Sequence, residues 1–287
     1  MYTIIWSQGK FAHKDSLMFP IEERGLQFGD GVYEVIRIYR GKAYLLDEHI
    51  ARLFRSLQAI RISLNYTETD LKTALETLIE RNHINEDAFI YLQVTRGTAE
   101  RDHLFPKNVN PNIYAYVKKR NRPIELMDNG VKAITLVDER WDNCYIKSLN
   151  LLPNVLAKQK AADQGAFEAI LHRDKIVTEG SSSNIFLVKN NILYTHPESK
   201  YILSGCVRSA TIRFAKQLNI PVYEEPFTVD DIIDADELFL TSSTSEIIPI
   251  IQVNDQLVAD GTPGDVTKNL QKAYEKDAQI VHEKIRN

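Results

Sequence analysis

Three short segments rich in serine, threonine and glycine are the first places in this sequence where chemistry could occur. They are residues 179–184 (EGSSSN), 204–208 (SGCVR) and 241–246 (TSSTSE), each at the boundary of a predicted element. The second opens a predicted helix, whose first N–H groups would bind an anion such as phosphate. One such loop is usually only a turn or a cap. Three together leave a bound phosphate and purely structural turns as equal alternatives.

Lys147 is the residue best suited to covalent chemistry. It lies in a mostly apolar segment, 144–152 (CYIKSLNLL), and a desolvated lysine amine forms Schiff bases with aldehydes. The alternative is that Lys147 ends a strand with its amine in water. If a phosphorylated aldehyde cofactor is bound, an acid should face its ring nitrogen so that the ring withdraws electrons. Glu179 is the candidate, because it follows a predicted strand and precedes the first serine-rich segment.

The composition is that of an ordinary globular protein. The 287 residues include 35 Lys+Arg and 39 Asp+Glu, a net charge of −4, and 44% are hydrophobic. This balance predicts no nucleic-acid partner, and the longest apolar stretch, 247–253, is too short to cross a membrane. The two cysteines, Cys144 and Cys206, provide neither a disulfide framework nor metal-ligand spacing. We expect no metal, and the lack of a secretory leader favours the cytoplasm.

The chain divides into two predicted domains at a polar segment. Residues 118–130 (KKRNRPIELMDNG) combine a charge cluster, a proline and an Asn-Gly pair, which is typical of a linker. We therefore predict a small N-terminal domain over 1–120, a linker over 121–130 and a larger C-terminal domain over 131–287. The predicted fold class is α+β, with a small α/β domain followed by an antiparallel-rich α+β domain.

Hydrophobic periodicity predicts the elements that must position these residues. A hairpin should turn at Arg40-Gly41, and Asp47 is the predicted N-cap of the helix that follows. The predicted strands of the second half lie in two hairpins and three single segments. The predicted strands are 34–39, 42–46, 89–95, 113–117, 131–137, 169–171, 175–177, 185–188, 192–194, 237–241 and 248–253, and the helices are 47–60, 70–82, 152–164, 207–218 and 265–286.

Six longer segments, taken together, form a pattern that is highly specific for one protein family. They are 24–37 (RGLQFGDGVYEVIR), 47–53 (DEHIARL), 93–106, 145–152 (YIKSLNLL), 177–184 (VTEGSSSN) and 241–247 (TSSTSEI). With these segments the chain resembles the fold-type IV pyridoxal-phosphate transaminases, and most closely the bacterial members that act on D-amino acids. The similarity covers essentially the whole chain.

The resemblance implies that pyridoxal 5′-phosphate is the cofactor. Lys147 would carry it as a Schiff base and move the proton between the substrate α-carbon and the cofactor. Glu179 would face the pyridine nitrogen. The other positions that match cofactor-binding residues of the family are Arg52 for the phosphate, Cys206 and Val207 for the phosphate through the loop backbone, Ser243 for a nearby hydroxyl, and Leu203 for the ring face. From its helical pattern alone, Arg52 would be a side chain that extends along the helix surface into water.

Substrate handedness depends on where the α-carboxylate is held, because the α-hydrogen must point at Lys147. The resemblance implies a trap of a tyrosine and an Arg-x-His pair, matched here by Tyr33, Arg101 and His103. Their side chains can surround one carboxylate with charge-assisted hydrogen bonds. By pattern alone, Arg101 and His103 would lie in a solvated loop and Tyr33 would pack on a sheet. Trap residues of the family come partly from the neighbouring subunit, which implies a homodimer.

One position departs from the family pattern. Relatives usually have Gly-Ile-Thr-Arg or Gly-Val-Thr-Arg at the phosphate helix, whereas this chain has Gly205-Cys206-Val207-Arg208. Val207 lacks the hydroxyl that would add a hydrogen bond to the phosphate, although the backbone donors remain. We therefore expect cofactor retention to be weaker by about 1 kcal/mol, the value of one neutral hydrogen bond.

The resemblance implies a ping-pong transaminase that takes the amino group of a D-amino acid such as D-alanine to the 2-oxo acid 2-oxoglutarate, giving pyruvate and D-glutamate. An L-branched-chain aminotransferase on the same scaffold is the first alternative, and the Arg101 and His103 pair argues against it. An enzyme like the aminodeoxychorismate lyases is the second. A catalytically silent binding protein is the third, but binding alone requires neither Lys147 nor Glu179.

Overall fold

A computed structural model of the chain describes residues 2–280. The chain forms two compact units: Met1–Arg122 with Ile146–Leu151, and Pro123–Tyr145 with Leu152–Asn287. The first unit contains the strands β1 (Ile4–Ser7), β2 (Lys10–His13), β3 (Gly31–Tyr39), β4 (Lys42–Ala43), β5 (Ala88–Thr95) and β6 (Asn112–Lys119), and the helices α1 (Arg24–Phe28), α2 (Leu46–Ala59) and α3 (Glu68–Arg81).

The first unit is built on an antiparallel sheet with the strand order β2-β1-β6-β5-β3-β4. Alternation along β5 buries Ala88, Ile90, Leu92 and Val94 on one face, as the period-2 pattern of a half-buried strand requires. Helices α2 and α3 pack against the sheet, and their apolar stripes complete one core with these strands.

The turn between β3 and β4 lies at Arg40-Gly41, as predicted. Both residues have positive φ, 49° and 78°, which is the backbone that two-residue hairpin turns favour because its twist matches the strands. A β-carbon on Gly41 would lie 2.5 Å from the carbonyl oxygen of Ile84. Glycine at this position therefore meets both a conformational and a packing requirement.

The start of α2 differs from the prediction. Asp47 was the predicted N-cap, but the N-cap is Leu45, in a left-handed conformation with φ 54° and without a side-chain cap hydrogen bond. Asp47 instead lies in the first turn, where its negative charge still favours the positive end of the helix dipole. Helix α3 begins with a capping box between Thr67 and Asp70, and this accounts for its start two residues before the predicted one.

The second unit contains one mixed sheet with the strand order β12-β11-β10-β13-β14-β7-β8-β9, and β15 pairs with β14. Its strands are β7 (Val131–Val137), β8 (Glu168–Arg173), β9 (Ile176–Gly180), β10 (Asn184–Lys189), β11 (Ile192–Thr195), β12 (Val222–Glu224), β13 (Glu237–Ser242), β14 (Glu246–Val253) and β15 (Gln256–Leu257), and its helices are α4 (Ile124–Asn129), α5 (Leu152–Asp163), α6 (Cys206–Gln217) and α7 (Asp265–Asp277). Five of its strand pairs are antiparallel and three are parallel. The α+β class is therefore confirmed.

Two segments cross the predicted domain organisation. Residues predicted as the linker, 121–130, include helix α4. Ile146–Leu151 belongs to the first unit, because Ser148 forms a bridge with Val32 of β3. The helix predicted over 265–286 ends at Asp277, and residues 281–286 of that prediction lie outside the described residues. Within residues 2–280 no helix is long and apolar enough to cross a membrane.

Candidate functional site

Lys147 is positioned through its backbone by two elements of the first unit. Its carbonyl oxygen accepts a hydrogen bond from the Tyr33 N–H at 3.0 Å, next to the bridge between Val32 and Ser148. Its own N–H donates to the Ser56 hydroxyl of α2 at 3.2 Å. Strand β3 and helix α2 thus hold the main chain of Lys147 through both its carbonyl oxygen and its N–H.

The Lys147 amine packs against the Tyr33 ring, the first of three stacked tyrosines. Its Nζ is 4.3 Å from the centroid of the Tyr33 ring, and the side chain is partly buried. Tyr33 stacks on Tyr91 at 5.8 Å, and Tyr91 stacks on Tyr116 at 5.2 Å. Burial raises the pKa of both Tyr91 and Tyr116, so the two phenols stacked behind Tyr33 stay neutral. The amine itself contacts the π face of Tyr33, a setting that reduces its contact with water.

Arg52 is held on α2 by a buried carboxylate. Its Nε and Nη2 donate to the two oxygens of Glu34 at 2.8 and 2.7 Å, and the Nδ1 of His49 lies 2.7 Å from the same carboxylate. Burial by itself would raise the pKa of Glu34, but the charge and hydrogen bonds of Arg52 and His49 lower that pKa to about 2. Glu34 is therefore ionised, and it fixes the orientation of the guanidinium.

Arg101 and His103 lie together on an exposed loop of the first unit. Both contact the Phe28 ring, with the Arg101 Cζ 4.8 Å and the His103 ring centroid 5.4 Å from its centroid. Among residues 2–280, neither side chain forms a hydrogen bond with Tyr33 or Lys147. The structure thus brings the predicted pair together, and it places Tyr33 with Lys147 instead.

Glu179 lies near the end of β9 and is buried in the second unit. Its Oε1 accepts a hydrogen bond from Nη1 of Arg140, and its Oε2 accepts from Asn184 Nδ2 and from the Leu203 N–H, both at 3.0 Å. Arg140 is itself fixed by Asp138, with Nε to Oδ1 at 2.9 Å and Nη2 to Oδ2 at 2.8 Å. Three donors therefore orient the carboxylate, and the main chain at Leu203 is tied to it.

The electrostatics of this cluster depend on Arg140. Burial raises the pKa of Glu179, and the Arg140 guanidinium opposes that rise. Burial by itself would lower the pKa of Arg140, but Glu179 and Asp138 raise it, so the guanidinium stays charged. A carboxylate can accept about four hydrogen bonds. Glu179 uses three, and one acceptor position on Oε1 suits the N–H of a protonated ring.

The loop before α6 packs closely against the Asn184 side chain. A β-carbon on Gly205 would lie 2.1 Å from Asn184 Oδ1, and Asn184 Nδ2 also donates to the Leu203 carbonyl oxygen at 2.9 Å. Gly205 is the N-cap of α6 and makes no side-chain cap hydrogen bond. Cys206 and Val207, both buried, follow in the first turn, where N–H groups lack partners within the helix. Such an N-terminus can bind phosphate through its backbone.

Ser243 lies in the turn between β13 and β14 and is partly buried. In the same turn the Ser245 N–H donates to the Ser242 hydroxyl at 3.1 Å. At the end of β13, the Thr241 hydroxyl is buried and has no hydrogen-bond partner among the described residues. The Ser242 hydroxyl therefore accepts a local hydrogen bond, whereas the Thr241 hydroxyl beside the turn can donate to a further group.

The serines after Glu179 have a structural role that the sequence left open. The Ser181 N–H and hydroxyl both donate to Oε1 of Glu168, and the Ser183 hydroxyl donates to Oε2 at 2.8 Å. Glu168 is fully buried on β8. Sequence reasoning missed Glu168 and Arg140, and it assigned no role to Asn184, which ends the first serine-rich segment. For Glu168 and Arg140 the only signal available was a charged residue beside a predicted strand, and such residues are usually solvent-facing.

No group of three or more metal-binding side chains is arranged for a metal ion within residues 2–280. The chemistry of the described clusters is instead that of an amine beside aromatic rings, a buried oriented carboxylate, a buried arginine and a helix N-terminus.

Comparison with known proteins gives one consistent family. The chain is 46% identical to the D-alanine aminotransferase of Bacillus licheniformis, over 93% of this chain and 94% of that protein. It is 44% identical to the D-alanine aminotransferase of Staphylococcus aureus (strain MSSA476), over 95% of this chain and 96% of that protein. Its fold matches the branched-chain amino acid aminotransferase from Escherichia coli with a TM-score of 0.89 and 25% identity, covering 99% and 97% of the two chains. The family model for amino-transferase class IV matches residues 31–253. The chain described here therefore belongs to the amino-transferase class IV family.

Proposed function

We propose that this aminotransferase acts on D-amino acids with pyridoxal 5′-phosphate, converting D-alanine and 2-oxoglutarate to pyruvate and D-glutamate. The observation that carries the substrate assignment is the 46% identity, over 93% of the chain, to a D-alanine aminotransferase. The branched-chain aminotransferase shares the fold at only 25% identity, so it supports the scaffold more than the substrate.

The described residues fit pyridoxal phosphate by their donor chemistry. The anchored Glu179 has one acceptor position left for a ring nitrogen. The α6 N-terminus offers backbone N–H groups at a glycine that has no room for a β-carbon. A phosphorylated pyridine aldehyde needs both features, together with an amine for its aldehyde carbon. Lys147 supplies the amine.

The bound cofactor supplies an electron sink that takes up and releases the amino group. Lys147 would have two tasks: its amine would hold the cofactor by its aldehyde carbon, and the same amine would move the proton at the substrate α-carbon. The backbone bonds to Tyr33 and Ser56 hold the lysine main chain in place while its side chain moves. Glu179 would accept the hydrogen bond of the ring N–H, and the Arg140 guanidinium opposes the rise that burial causes in the pKa of Glu179.

The phosphate is assigned to Arg52 and to the backbone at Cys206 and Val207, with Ser243 as a hydroxyl-bearing neighbour. Arg52 suits this role because Glu34 orients its guanidinium without leaving it exposed. Val207 cannot donate a side-chain hydrogen bond, so the helix N-terminus contributes through N–H groups alone. Leu203 is assigned to the face of the ring, and its N–H bond to Glu179 supports a fixed position.

The substrate α-carboxylate is assigned to Tyr33, Arg101 and His103. A guanidinium, an imidazole and a phenol can hold both carboxylate oxygens at once. Support for the two loop residues comes from their common contact with Phe28, which places a cation and an imidazole side by side.

We propose that the protein works as a homodimer. Each unit exposes an apolar surface, and contiguous exposed apolar surface marks interaction sites. On α5, Leu152, Val155 and Leu156 are 67%, 58% and 60% exposed. Leu156→Glu should shift the protein toward monomer in sedimentation velocity, whereas Leu257→Glu, at a leucine 58% exposed on β15, should not. Equal sedimentation of all three proteins as monomers would refute the dimer.

The function is tested by the visible absorption spectrum of the purified protein with pyridoxal phosphate, recorded with D-alanine or with L-alanine and without a 2-oxo acid. We expect the cofactor band to be converted much faster by D-alanine. Faster conversion by L-amino acids would support a branched-chain aminotransferase and overturn the D-specific assignment. Absence of a cofactor band would overturn the cofactor assignment. Lys147→Ala should abolish multiple turnover, and near-native turnover in that variant would contradict every version of the mechanism.

A further inference from the structure

The loop that carries Arg101 and His103 has no regular secondary structure to hold it. Residues 101–105 are exposed, and the preceding chain is tied to its neighbours by an isolated bridge between Thr98 and Glu23 and by a hydrogen bond from Asn112 Nδ2 to the Thr98 hydroxyl. Exposed long side chains lose rotamer freedom when they bind a ligand, which weakens binding. A preorganised pair binds a carboxylate better than a mobile pair, so the contacts that fix this loop decide how well it functions.

Arg24 fixes the loop at its centre. The residue is 3% exposed, and its Nη1 donates to the carbonyl oxygen of Asp102 at 2.6 Å. Its Nε donates to Asp30 at 2.9 Å, so the guanidinium is itself held in place. Asp102 lies between Arg101 and His103 in sequence. A charge-assisted hydrogen bond from a buried donor therefore sets the main chain between the two side chains.

Phe28 fixes the two side chains themselves. The Cζ of Arg101 is 4.8 Å and the ring centroid of His103 is 5.4 Å from the Phe28 ring centroid. The Arg24 Cζ lies 4.6 Å from the same ring. Cations and aromatic rings attract one another at these distances. One ring, at the end of α1, thus determines the spacing between the guanidinium and the imidazole.

We propose that Phe28, anchored together with Arg24, is a positioning residue that presets Arg101 and His103 for the substrate α-carboxylate. The inference deepens the proposed function and rests on it, since it takes the pair as the carboxylate trap. All the contacts involved lie within one chain, so the pair is set before substrate arrives. Phe28 acts through its neighbours and is not assigned a contact with substrate.

Asp30 holds the guanidinium groups that anchor the loop. It accepts hydrogen bonds from both Arg24 and Arg96, the latter through Nε at 2.8 Å and Nη2 at 2.9 Å. Arg24 is therefore fixed by a carboxylate partner of its own while it donates to the main chain of the loop.

Steady-state kinetics of the holoenzyme test the proposal with Phe28→Leu, which keeps an apolar side chain and removes the π face. The KM for D-alanine should rise about fivefold, as expected for the loss of cation–π attraction, while kcat changes less than twofold. The inhibition constant of propionate, a carboxylate that cannot react, should rise by the same factor. Phe28→Trp should restore both values. Phe105→Leu is the matched control, because it removes another ring that packs against guanidinium groups, those of Arg61 and Arg96.

Arg24→Gln is the second variant. It removes the bond to Asp102 while the Phe28 ring stays, and it should also raise KM with little change in kcat. The proposal is overturned if KM and the propionate constant stay within twofold in Phe28→Leu, or if Phe105→Leu raises them equally. A fall in kcat alone would indicate a merely structural role and would also overturn it. If Arg101→Gln leaves KM unchanged, the carboxylate assignment itself is wrong, and this result separates the two failures.

Discussion

The buried pair of Glu34 and Arg52 makes acid sensitivity of the first unit predictable. The pKa of Glu34 is about 2 in the folded protein, against an ordinary value of 4.5. Because the folded-state pKa is lowered, the stabilisation is complete above pH 4.5 and is lost as the pH falls toward 2. This difference between the unfolded and folded pKa contributes about 3 kcal/mol to the free energy of unfolding at pH 7. Somewhat less than half of it should survive at pH 3.

The perturbation is Glu34→Gln, which keeps the shape of the side chain and removes its charge. At pH 7 it should lower the free energy of unfolding by about 3 kcal/mol or more, because Arg52 is left buried without its ionised partner. At pH 3 the difference between wild type and variant should shrink by about 2 kcal/mol, since the wild type has lost most of the same stabilisation.

The assay uses tryptophan fluorescence during urea unfolding. The sequence contains two tryptophans, Trp6 and Trp141. Trp6 is 3% exposed in the core of the first unit, so a Trp141→Phe background reports on that unit. Glu76→Gln is the control, because Glu76 is exposed on α3, and exposed charges contribute little. Parallel stability curves for wild type and Glu34→Gln from pH 7 to pH 3 would refute the reasoning.

Three further outcomes follow from the second unit. Arg140→Gln should weaken retention of pyridoxal phosphate on dialysis, because the pKa of Glu179 rises further once its cation is removed. Arg173→Gln is the control and should retain the cofactor, because Arg173 bonds Asp138 and the Arg140 main chain without contacting Glu179. Equal loss of cofactor in both variants would contradict this prediction. Val207→Thr should tighten cofactor binding by about 1 kcal/mol, or roughly fivefold, and an unchanged dissociation constant in a fluorescence titration would count against a hydroxyl role there. Gly205→Ala should lower both the melting temperature and cofactor affinity, because its β-carbon would lie 2.1 Å from a side-chain oxygen; a normal melting temperature would show that the loop can relax.

Much of the fold follows from local patterns. The hairpin at Arg40-Gly41 and strand β7 over Val131–Val137 were both predicted from periodicity and turn residues. Helix α6 begins one residue before its predicted start. These elements depend on neighbours within a few residues, so the sequence carries their signal directly. Helix α2 is the exception, because Leu45 adopts a left-handed conformation that no local preference predicts.

The sequence by itself predicted the kinds of chemistry: a lysine for a Schiff base, an acid for a ring nitrogen, a phosphate-binding loop and an Arg-x-His pair. Through resemblance it also indicated the family, whereas the individual roles of these residues stay predictions. Only the tertiary structure decided which groups meet. Arg140 bonds Glu179 from 39 residues away in the chain, and Arg24 bonds Asp102 from 78 residues away. Such pairings leave no local pattern, because they depend on how distant strands and loops pack and on the need of buried charges for partners.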